Sequence, residues 1–266
     1  MTKPDLRSPS QPDPLRSLSR AVAILRTLAG PRAHGLALTE ISKQADLPHP
    51  TTLRLLRHMQ RLGLVHINER NRTYILGPLA FELGLAAAAH FDIRDVCQEP
   101  MQRLAKKFGD VVYVVQRSGY DAVCIGRTQG PFGSQVITLE PGSRRPLGVG
   151  AGGLAILMAL PDPEAQEVIS YIAPRLHEYL KLSADELLQW VRKARENGYA
   201  FSRNHVTAGV TGVGVPVYNV MGIPFASITI ACTNVRINSE KEAAIVRALR
   251  EESTLITSEL RVLLSI

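Results

Sequence analysis

The sequence predicts an α+β fold with two domains, the first a winged helix-turn-helix and the second a mixture of strands and helices. The chain has 266 residues, a length that favours two domains over one. A helix-turn-helix pattern followed by a polar hairpin occupies residues 36–74, whereas strand-like runs and glycine-rich turns dominate after Gly109. The excess positive charge is confined to the first of these two parts.

Charge separates the two parts of the chain sharply. Residues 1–76 contain 12 Lys and Arg against 5 Asp and Glu, an excess of seven positive charges. Because the whole chain holds 31 basic and 24 acidic residues, residues 77–266 hold 19 of each and are neutral. A localised positive field is what phosphate binding needs, so the first segment is a candidate DNA-binding domain.

The basic segment divides into an arm and a helical domain. Residues 1–15 are rich in Pro, Ser and charge, lack periodicity, and predict a disordered arm. Residues 16–77 predict the winged domain, with a bracing helix over Ser17–Ala29 and a short helix capped by Thr39. A second helix runs from Pro50 to Gly63. Helix, turn, helix and hairpin form a unit that places a helix in the major groove of DNA.

The second of these helices has an apolar side and a positive side. Leu53, Leu56 and Met59 recur at three-residue spacing and predict a stripe that faces the core. Arginine on the other side can bind a guanine edge or a phosphate, and a solvated face on an ordinary helix is the alternative. The candidate DNA-contacting residues of this helix are Thr51, Thr52, Arg54 and Arg57.

A polar hairpin follows the second helix. Leu64–Ile67 and Thr73–Leu76 flank the tip Asn68–Arg72, which is typical of a β-hairpin. Arg70 and Arg72 are the candidate wing residues, because arginine at a wing enters the minor groove or holds phosphate. A plain exposed turn is the alternative interpretation.

The next segment predicts a helix between the two domains. Pro78–His90 is apolar on nearly every side, and a helix that is apolar all round must be buried all round. Since this segment lies between two domains, its simplest partner is a second copy of itself. We therefore predict a linker and dimerisation helix over residues 78–91.

Residues 92–266 predict the second domain, an α+β sandwich. The predicted strands are Val111–Gln116, Ala122–Arg127, Val136–Leu139, Tyr199–Ser202, Thr211–Tyr218 and Pro224–Ala231. The predicted helices between and after them are Glu164–Ala173, Pro174–Tyr179, Ala184–Glu196 and a last helix from about Ser239. Strands, then helices, then strands give a layered domain of both element types.

Two features of this domain are typical of a ligand site. Gly148–Gly153 opens a helix whose free N–H groups and dipole favour an anion, although tight packing of helix on sheet explains these glycines equally well. Arg144 and Arg145 either add positive charge nearby or face water. Small residues within Val206–Pro216 and Ser227–Thr233 leave room above the sheet for a ligand.

Patterns for catalysis, cofactors and metals are missing from the sequence. The glycine-rich helix start lacks the frame of a dinucleotide site and the Lys of a P-loop. Neither G-x-S-x-G nor H-E-x-x-H occurs, and no spacing joins Cys124, His177 and His205 into a triad. We therefore predict no enzyme activity, no cofactor and no metal, with an enzyme domain on a DNA-binding head as the alternative.

The cysteine and hydropathy patterns bear on the compartment. Three widely spaced cysteines without a C-x-x-C pair predict reduced thiols in the cytoplasm and no zinc finger, and a redox switch is the alternative. The sequence contains no run of about 18 apolar residues, so we predict no membrane span. The N-terminus lacks the apolar core of a signal peptide.

Together these motifs resemble those of the IclR family of transcriptional regulators, over about Leu18 to Leu260. Each motif alone is loose, but their order and spacing are specific. In the first domain the resemblance rests on Ser19–Leu25, Leu47–Leu56 and Leu62–Val65. In the second domain it rests on Pro141–Leu147, Asn197–Ala200 and Val213–Asn219.

The resemblance implies a winged helix, a linker helix and a C-terminal effector domain similar to GAF or profilin-like sensors. Members are homodimers or homotetramers that change their binding to double-stranded operator DNA when a small organic or aromatic acid occupies that domain. The resemblance places Thr51, Thr52, Arg54, Arg57, Arg70 and Arg72 on DNA. It implies effector contacts by the backbone N–H groups of Ala151 and Gly152, and by Ser202, Gly212, Thr229 and Ala231.

The sequence departs from the acid-binding members at three of these positions. They commonly carry an acidic residue at the position of Ser202 and polar groups at Gly212 and Ala231. The departure predicts a roomier, less polar pocket, which favours a larger carboxylate, such as an aromatic one, over a very small acid such as glyoxylate.

Overall fold

A computed structural model describes residues 14–29, 35–91, 93–132, 138–179 and 182–263 of the chain. The chain forms two compact units, Met1–Phe91 and Asp92–Ile266. The predicted arm over residues 1–15 lies almost entirely outside the described residues. No helix within the described ranges is both long and apolar enough to cross a membrane.

The first unit is a helical domain with a three-stranded sheet. Its helices are α1 (Pro14–Leu28), α2 (Leu38–Gln44), α3 (His49–Arg61) and α4 (Pro78–Phe91), and its strands are β1 (Leu36–Ala37), β2 (Val65–Asn68) and β3 (Thr73–Leu76). The antiparallel sheet has the order β1-β3-β2. Helix, turn, helix and hairpin are therefore all present, and the predicted winged helix-turn-helix is confirmed.

The start of α2 differs from the prediction that Thr39 caps it. The helix begins at Leu38, so Ala37 is the N-cap and Thr39 lies inside the first turn. The carboxylate of Glu40 accepts a hydrogen bond of 2.9 Å from the backbone N–H of Ala37. This reach back to the N-cap satisfies a donor that the helix leaves free.

The linker helix α4 shows a mostly exposed apolar surface in the single chain. Phe81, Leu83 and Leu85 are 68%, 56% and 58% exposed. Its start is tied to the turn after α3, because the backbone N–H of Leu79 donates to the Gly63 carbonyl at 3.0 Å. The burial of α4 against a second copy of the chain stays a prediction.

The second unit is a six-stranded antiparallel sheet with helices on both faces. Its helices are α5 (Arg94–Phe108), α6 (Gly150–Ala159), α7 (Asp162–Leu176), α8 (Ala184–Asn197) and α9 (Ser239–Leu263). Its strands are β4 (Val111–Ser118), β5 (Asp121–Gln129), β6 (Arg144–Pro146), β7 (Ala200–Arg203), β8 (Val210–Tyr218) and β9 (Pro224–Thr233). The strand order is β6-β5-β4-β9-β8-β7, and the predicted α+β class is confirmed.

Strand alternation builds two separate cores on this sheet. Ile228 and Ile230 of β9 and Val215 of β8 pack with α5 and α9 on one face. On the other face, α6, α7 and α8 form a core in which Leu154 and Leu187 are fully or almost fully buried. Because side chains alternate along a strand, residues next to these apolar positions point towards α6.

The helix α8 begins with a capping box, and the predicted strand boundaries before α6 differ from the structure. Ser183 Oγ accepts from the Glu186 N–H at 3.2 Å, which completes this capping box. Residues 138–139 are irregular, and residues 136–137 of the predicted strand lie outside the described residues. An edge strand, β6, occupies residues 144–146, for which no strand was predicted. The two predicted helices before Tyr179 are one helix, α7.

Candidate functional site

The exposed side of α3 forms a positive surface on the first unit. Arg54 and Arg57 are exposed, whereas Leu56 and Met59 are buried in the core of the unit. Thr51, in the first turn of the helix, is half-buried. The first turn carries Pro50 and begins after Pro48 without a side-chain cap, so its backbone N–H groups remain available to an acceptor.

Thr52 does not belong to this surface, which corrects its prediction as a DNA-contacting residue. Its side chain is fully buried. Its hydroxyl donates to the Pro48 carbonyl at 3.2 Å and accepts from Ser42 Oγ at 3.1 Å. The hydroxyl therefore joins α3 to α2. In the same helix, Leu53 was predicted to face the core and is only half-buried.

The hairpin of β2 and β3 holds two further exposed arginines at its tip. Arg70 and Arg72 are both exposed. The side chain of Asn68 accepts from the Arg70 N–H at 3.1 Å, and that of Asn71 accepts from the Thr73 N–H at 3.2 Å. Arg72 has a φ of +57°, a left-handed conformation that is unfavourable for a residue with a Cβ.

A cavity of about 60 Å³ lies between α6 and the sheet of the second unit. All six residues that the family resemblance places on the effector line this cavity, together with Arg145, Tyr113 and Cys124. The six are Ala151, Gly152, Ser202, Gly212, Thr229 and Ala231. Val206 and Thr207, from the loop between β7 and β8, also line it.

The small residues of β8 do not leave the open room that the sequence indicated. A Cβ added to Gly212 would lie 3.0 Å from the Cβ of Ala151. A Cβ added to Gly214 would lie 3.0 Å from both the Ala151 carbonyl oxygen and Thr229 Oγ1. Gly212 and Gly214 therefore allow α6 to approach the sheet closely.

Three polar features converge on the cavity. α6 begins at Gly150 without a side-chain cap, so its first N–H groups and its dipole are available to an anion. Arg145 donates through Nη2 to the Thr138 carbonyl at 2.6 Å, and burial lowers its pKa. Thr229 is 4% exposed, and its hydroxyl has no hydrogen-bond partner among the described residues.

The sequence left open whether Arg145 adds positive charge to the site or faces water. No strand was predicted over residues 144–146, and the strand β6 places adjacent side chains there on opposite faces. Arg144 pairs with Asp121 at 3.1 Å, while its neighbour Arg145 lines the cavity. Two adjacent arginines in a strand point to opposite faces, and this was the signal available.

Cys97, Cys124 and Cys232 are all buried. Burial raises the pKa of the thiols of Cys124 and Cys232 to about 11, so both stay protonated at neutral pH. A protonated thiol is a poor nucleophile and a poor metal ligand. Within the described residues, no group of three His, Cys, Asp or Glu side chains could hold a metal ion.

A winged helix with exposed arginines and an α/β domain with a small cavity beside a helix N-terminus define a class of protein. This class comprises transcriptional regulators that join a DNA-binding domain to a ligand-binding domain. Residues 17–68 match the IclR helix-turn-helix domain, and residues 85–258 match the C-terminal domain of bacterial IclR transcriptional regulators. The chain belongs to the IclR family.

Individual relatives agree with this assignment. The chain is 28% identical over 242 residues to the HTH-type transcriptional repressor AllR of Escherichia coli strain K12, covering 88% of each chain. An AllR from Klebsiella pneumoniae is 28% identical over 262 residues, covering 97% of this chain and 94% of the relative. These relatives are named as transcriptional regulators and not as enzymes.

Solved structures of the same family share the fold. An IclR family regulator from Brucella abortus is 26% identical and covers 92% of each chain, with a TM-score of 0.72. An IclR homologue from Microbacterium hydrocarbonoxydans, in complex with 4-hydroxybenzoate, is 21% identical with a TM-score of 0.69. The match covers 92% of this chain and 99% of that homologue.

Proposed function

We propose that this IclR-type regulator binds a specific operator and releases or engages it in response to a small organic acid. The observation that carries the proposal is that two sites of different kinds occur in separate folded units of one chain. The first unit exposes arginines on a helix and a wing, and the second encloses a cavity beside a helix N-terminus. Because its target is the chromosome, we propose the cytoplasm as its place of action.

On the DNA side, α3 enters the major groove and the hairpin contacts the adjacent backbone or minor groove. Thr51, Arg54 and Arg57 are the proposed contacts of the helix, and Arg70 and Arg72 those of the wing. All four arginines are exposed, so none has to leave a folded core to reach DNA. Recognition helices use their N-terminal residues for base edges, which makes Thr51 and Arg54 the proposed specificity residues.

The regulator acts as a homodimer or homotetramer in this proposal. Two copies present two recognition helices to two half-sites of a palindromic operator. The exposed side chains of Phe81, Leu83 and Leu85 on α4 support an interface there, because a row of large apolar residues in water is unfavourable.

On the ligand side, the effector is a carboxylic acid that contacts Ala151, Gly152, Ser202 and Thr229 beside Gly212 and Ala231. The bound 4-hydroxybenzoate of one family member supports an aromatic acid. The volume of about 60 Å³ favours a more compact acid, since sites for drug-sized ligands span several hundred Å³. An aromatic acid would need more room than this volume offers.

The experiment that tests this function is a DNA-binding titration with the full-length protein. Fluorescence anisotropy would follow labelled DNA from the region upstream of its own gene, at two salt concentrations and with excess competitor DNA. Specific binding that survives competitor, and changes when an aromatic or a compact carboxylic acid is added, is the expected result. Binding that competitor abolishes, with no response to any acid, would refute the proposal.

The alternative of a redox-sensing second domain is not favoured by the structure. Cys97, Cys124 and Cys232 are all buried, and the raised pKa values of Cys124 and Cys232 oppose thiolate chemistry. A variant with all three cysteines changed to serine should regulate normally. Loss of the DNA response in that variant, while it remains folded, would support the redox alternative.

A further inference from the structure

Two adjacent arginines of β6 have opposite electrostatic environments. Arg144 donates through Nη1 to Asp121 at 3.1 Å, and Arg175 donates to the same carboxylate at 2.7 Å. Arg145 has the carbonyl oxygen of Thr138 at 2.6 Å, and within the described residues no carboxylate forms an ion pair with it. One arginine therefore has its counter-charge inside the protein, and the other does not.

A half-buried guanidinium without a negative counter-charge is energetically unfavourable. Arginine stays protonated in proteins, so it cannot relieve its burial by losing the charge. Desolvation is the largest influence on Arg145 and lowers its pKa. A buried charge of this kind is normally paired, and an anion that enters the cavity would supply the missing partner.

The guanidinium lies beside the start of α6. Its Nη1 is 3.8 Å from the position that a Cβ would take on Gly150, the first residue of the helix. The helix has ten residues and no side chain caps its first turn. The charge of Arg145 and the free N–H groups of the helix therefore act on the same part of the cavity.

A second polar group, Thr229 of β9, faces the first turn of α6 two residues further along, at Gly152. Thr229 Oγ1 is 3.3 Å from the position that a Cβ would take on Gly152. This hydroxyl is buried and has no partner within the described part of the chain, although buried hydroxyls are nearly always hydrogen-bonded. The cavity thus has a positive end near Gly150 and an unsatisfied hydroxyl near Gly152.

We propose that Arg145 binds the carboxylate of the effector against the first turn of α6, while Thr229 hydrogen-bonds a second polar group of the same ligand. The effector is then a monocarboxylic acid with a hydroxyl or carbonyl group at a distance from the carboxylate. This inference rests on the proposed function, because it names the residue that recognises the acid. It adds a residue that the family resemblance did not indicate.

The test compares ligand pairs that differ in one group, using full-length protein in calorimetric titration. The first pair of probes is 4-hydroxybenzoate and benzoate, and the second is pyruvate and propionate. The amides of 4-hydroxybenzoate and pyruvate serve as the neutral analogues. Wild-type protein should bind at least one acid and bind its neutral amide at least roughly tenfold more weakly. Arg145→Gln should weaken the acid by roughly 10- to 100-fold. Arg192→Gln, which removes an exposed charge outside the cavity lining, should bind as the wild type does.

Thr229→Val tests the other end of the ligand. It should weaken the acid that carries the second polar group and leave benzoate or propionate unaffected. Because valine also removes an unsatisfied hydroxyl, the variant should fold at least as well as the wild type. Equal losses for both members of a pair would overturn the role of Thr229.

Thermal unfolding without ligand separates recognition from a merely structural role of Arg145. If Arg145 awaits an anion, Arg145→Gln should keep or raise the Tm of the ligand-free protein. A Tm several degrees lower would assign Arg145 to holding Thr138 and overturn the inference. Undiminished acid binding by Arg145→Gln would overturn it while the proposed function stands. If no acid binds the wild type or changes its DNA affinity, acid sensing itself fails, and the inference fails with it.

Discussion

The arginines of the first unit and Arg145 of the second unit meet their surroundings in opposite ways. Arg54, Arg57, Arg70 and Arg72 are exposed on a helix and a hairpin tip, where they can contact a polyanion as large as DNA. Arg145 lines a cavity of about 60 Å³ and can only meet an anion that fits inside. Salt screens exposed charges far more than buried ones, so DNA binding should be strongly salt-dependent and acid binding weakly so.

The largest effect is expected from the exposed arginines of α3. Arg54→Ala and Arg57→Ala should each cost about 1–3 kcal/mol of specific DNA affinity if they read bases, and the double variant about the sum. Neither change should lower the Tm, because exposed side chains contribute little to folding. Anisotropy titrations on operator and unrelated DNA measure this.

The two DNAs also distinguish base contacts from phosphate contacts. If Arg54 and Arg57 touch only phosphate, affinity should fall equally on both DNAs and the salt dependence should become shallower. Unchanged affinity in the double variant would remove this face of α3 from the interface.

Thr51 and Thr52 are neighbours that differ in burial, so their variants separate DNA binding from folding without a change of charge. Thr52→Val removes a buried hydroxyl that bonds Pro48 and Ser42, so it should lower the free energy of unfolding by about 1–2 kcal/mol. Thr51→Val should leave stability within about 0.5 kcal/mol and weaken operator binding. Urea unfolding and anisotropy, measured on both variants, give the two numbers. The reverse pattern would mean that Thr52 reaches DNA after all.

Arg72 combines a backbone cost with a proposed DNA contact. Arg72→Gly should raise the free energy of unfolding by about 0.5 kcal/mol, because glycine adopts a φ of +57° freely. The same change should reduce the slope of log affinity against log salt by about one unit. Arg70→Ala is the matched control, with the same loss of slope and no gain in stability. A slope that neither variant alters would leave the hairpin as a plain exposed turn.

The sequence predicted most of the fold because the elements of each domain carry strong periodic signals. Leu56 and Met59 marked the buried side of α3, and the predicted helix over Ala184–Glu196 matches α8 to within one residue. Thr52 was wrongly predicted to contact DNA because a polar residue next to a row of arginines is expected to be exposed. Its burial depends on a partner, Ser42, ten residues away.

The cavity was predictable in position and not in shape. The six residues implied by the family resemblance do line one cavity, since the order of motifs carries the topology. The space above Gly212 was overestimated because it depends on how closely Ala151 approaches the sheet. Arg145 was left undecided because no strand was predicted over residues 144–146, and only a strand places two adjacent arginines on opposite faces.

The smallest effect concerns the loop between β7 and β8, which lines the cavity. His205 stacks on Trp190 with ring centroids 3.6 Å apart, and its Nδ1 atom is buried without a partner among the described residues. Burial lowers the pKa of His205 below the value of about 6.5 that it has when unfolded. Its contribution to stability is therefore fully present above about pH 6.5 and is lost as the pH falls through the folded pKa.

His205→Phe keeps a ring against Trp190 and removes the titration. The variant should lose less stability than the wild type between pH 7.5 and pH 5, as measured by urea unfolding at each pH. Because His205 adjoins Val206 and Thr207 in the cavity wall, acid binding should also weaken less at low pH in the variant. Identical pH profiles would show that the loop tolerates the charge. Arg145 remains protonated throughout this pH range and would not itself produce a change of acid binding with pH.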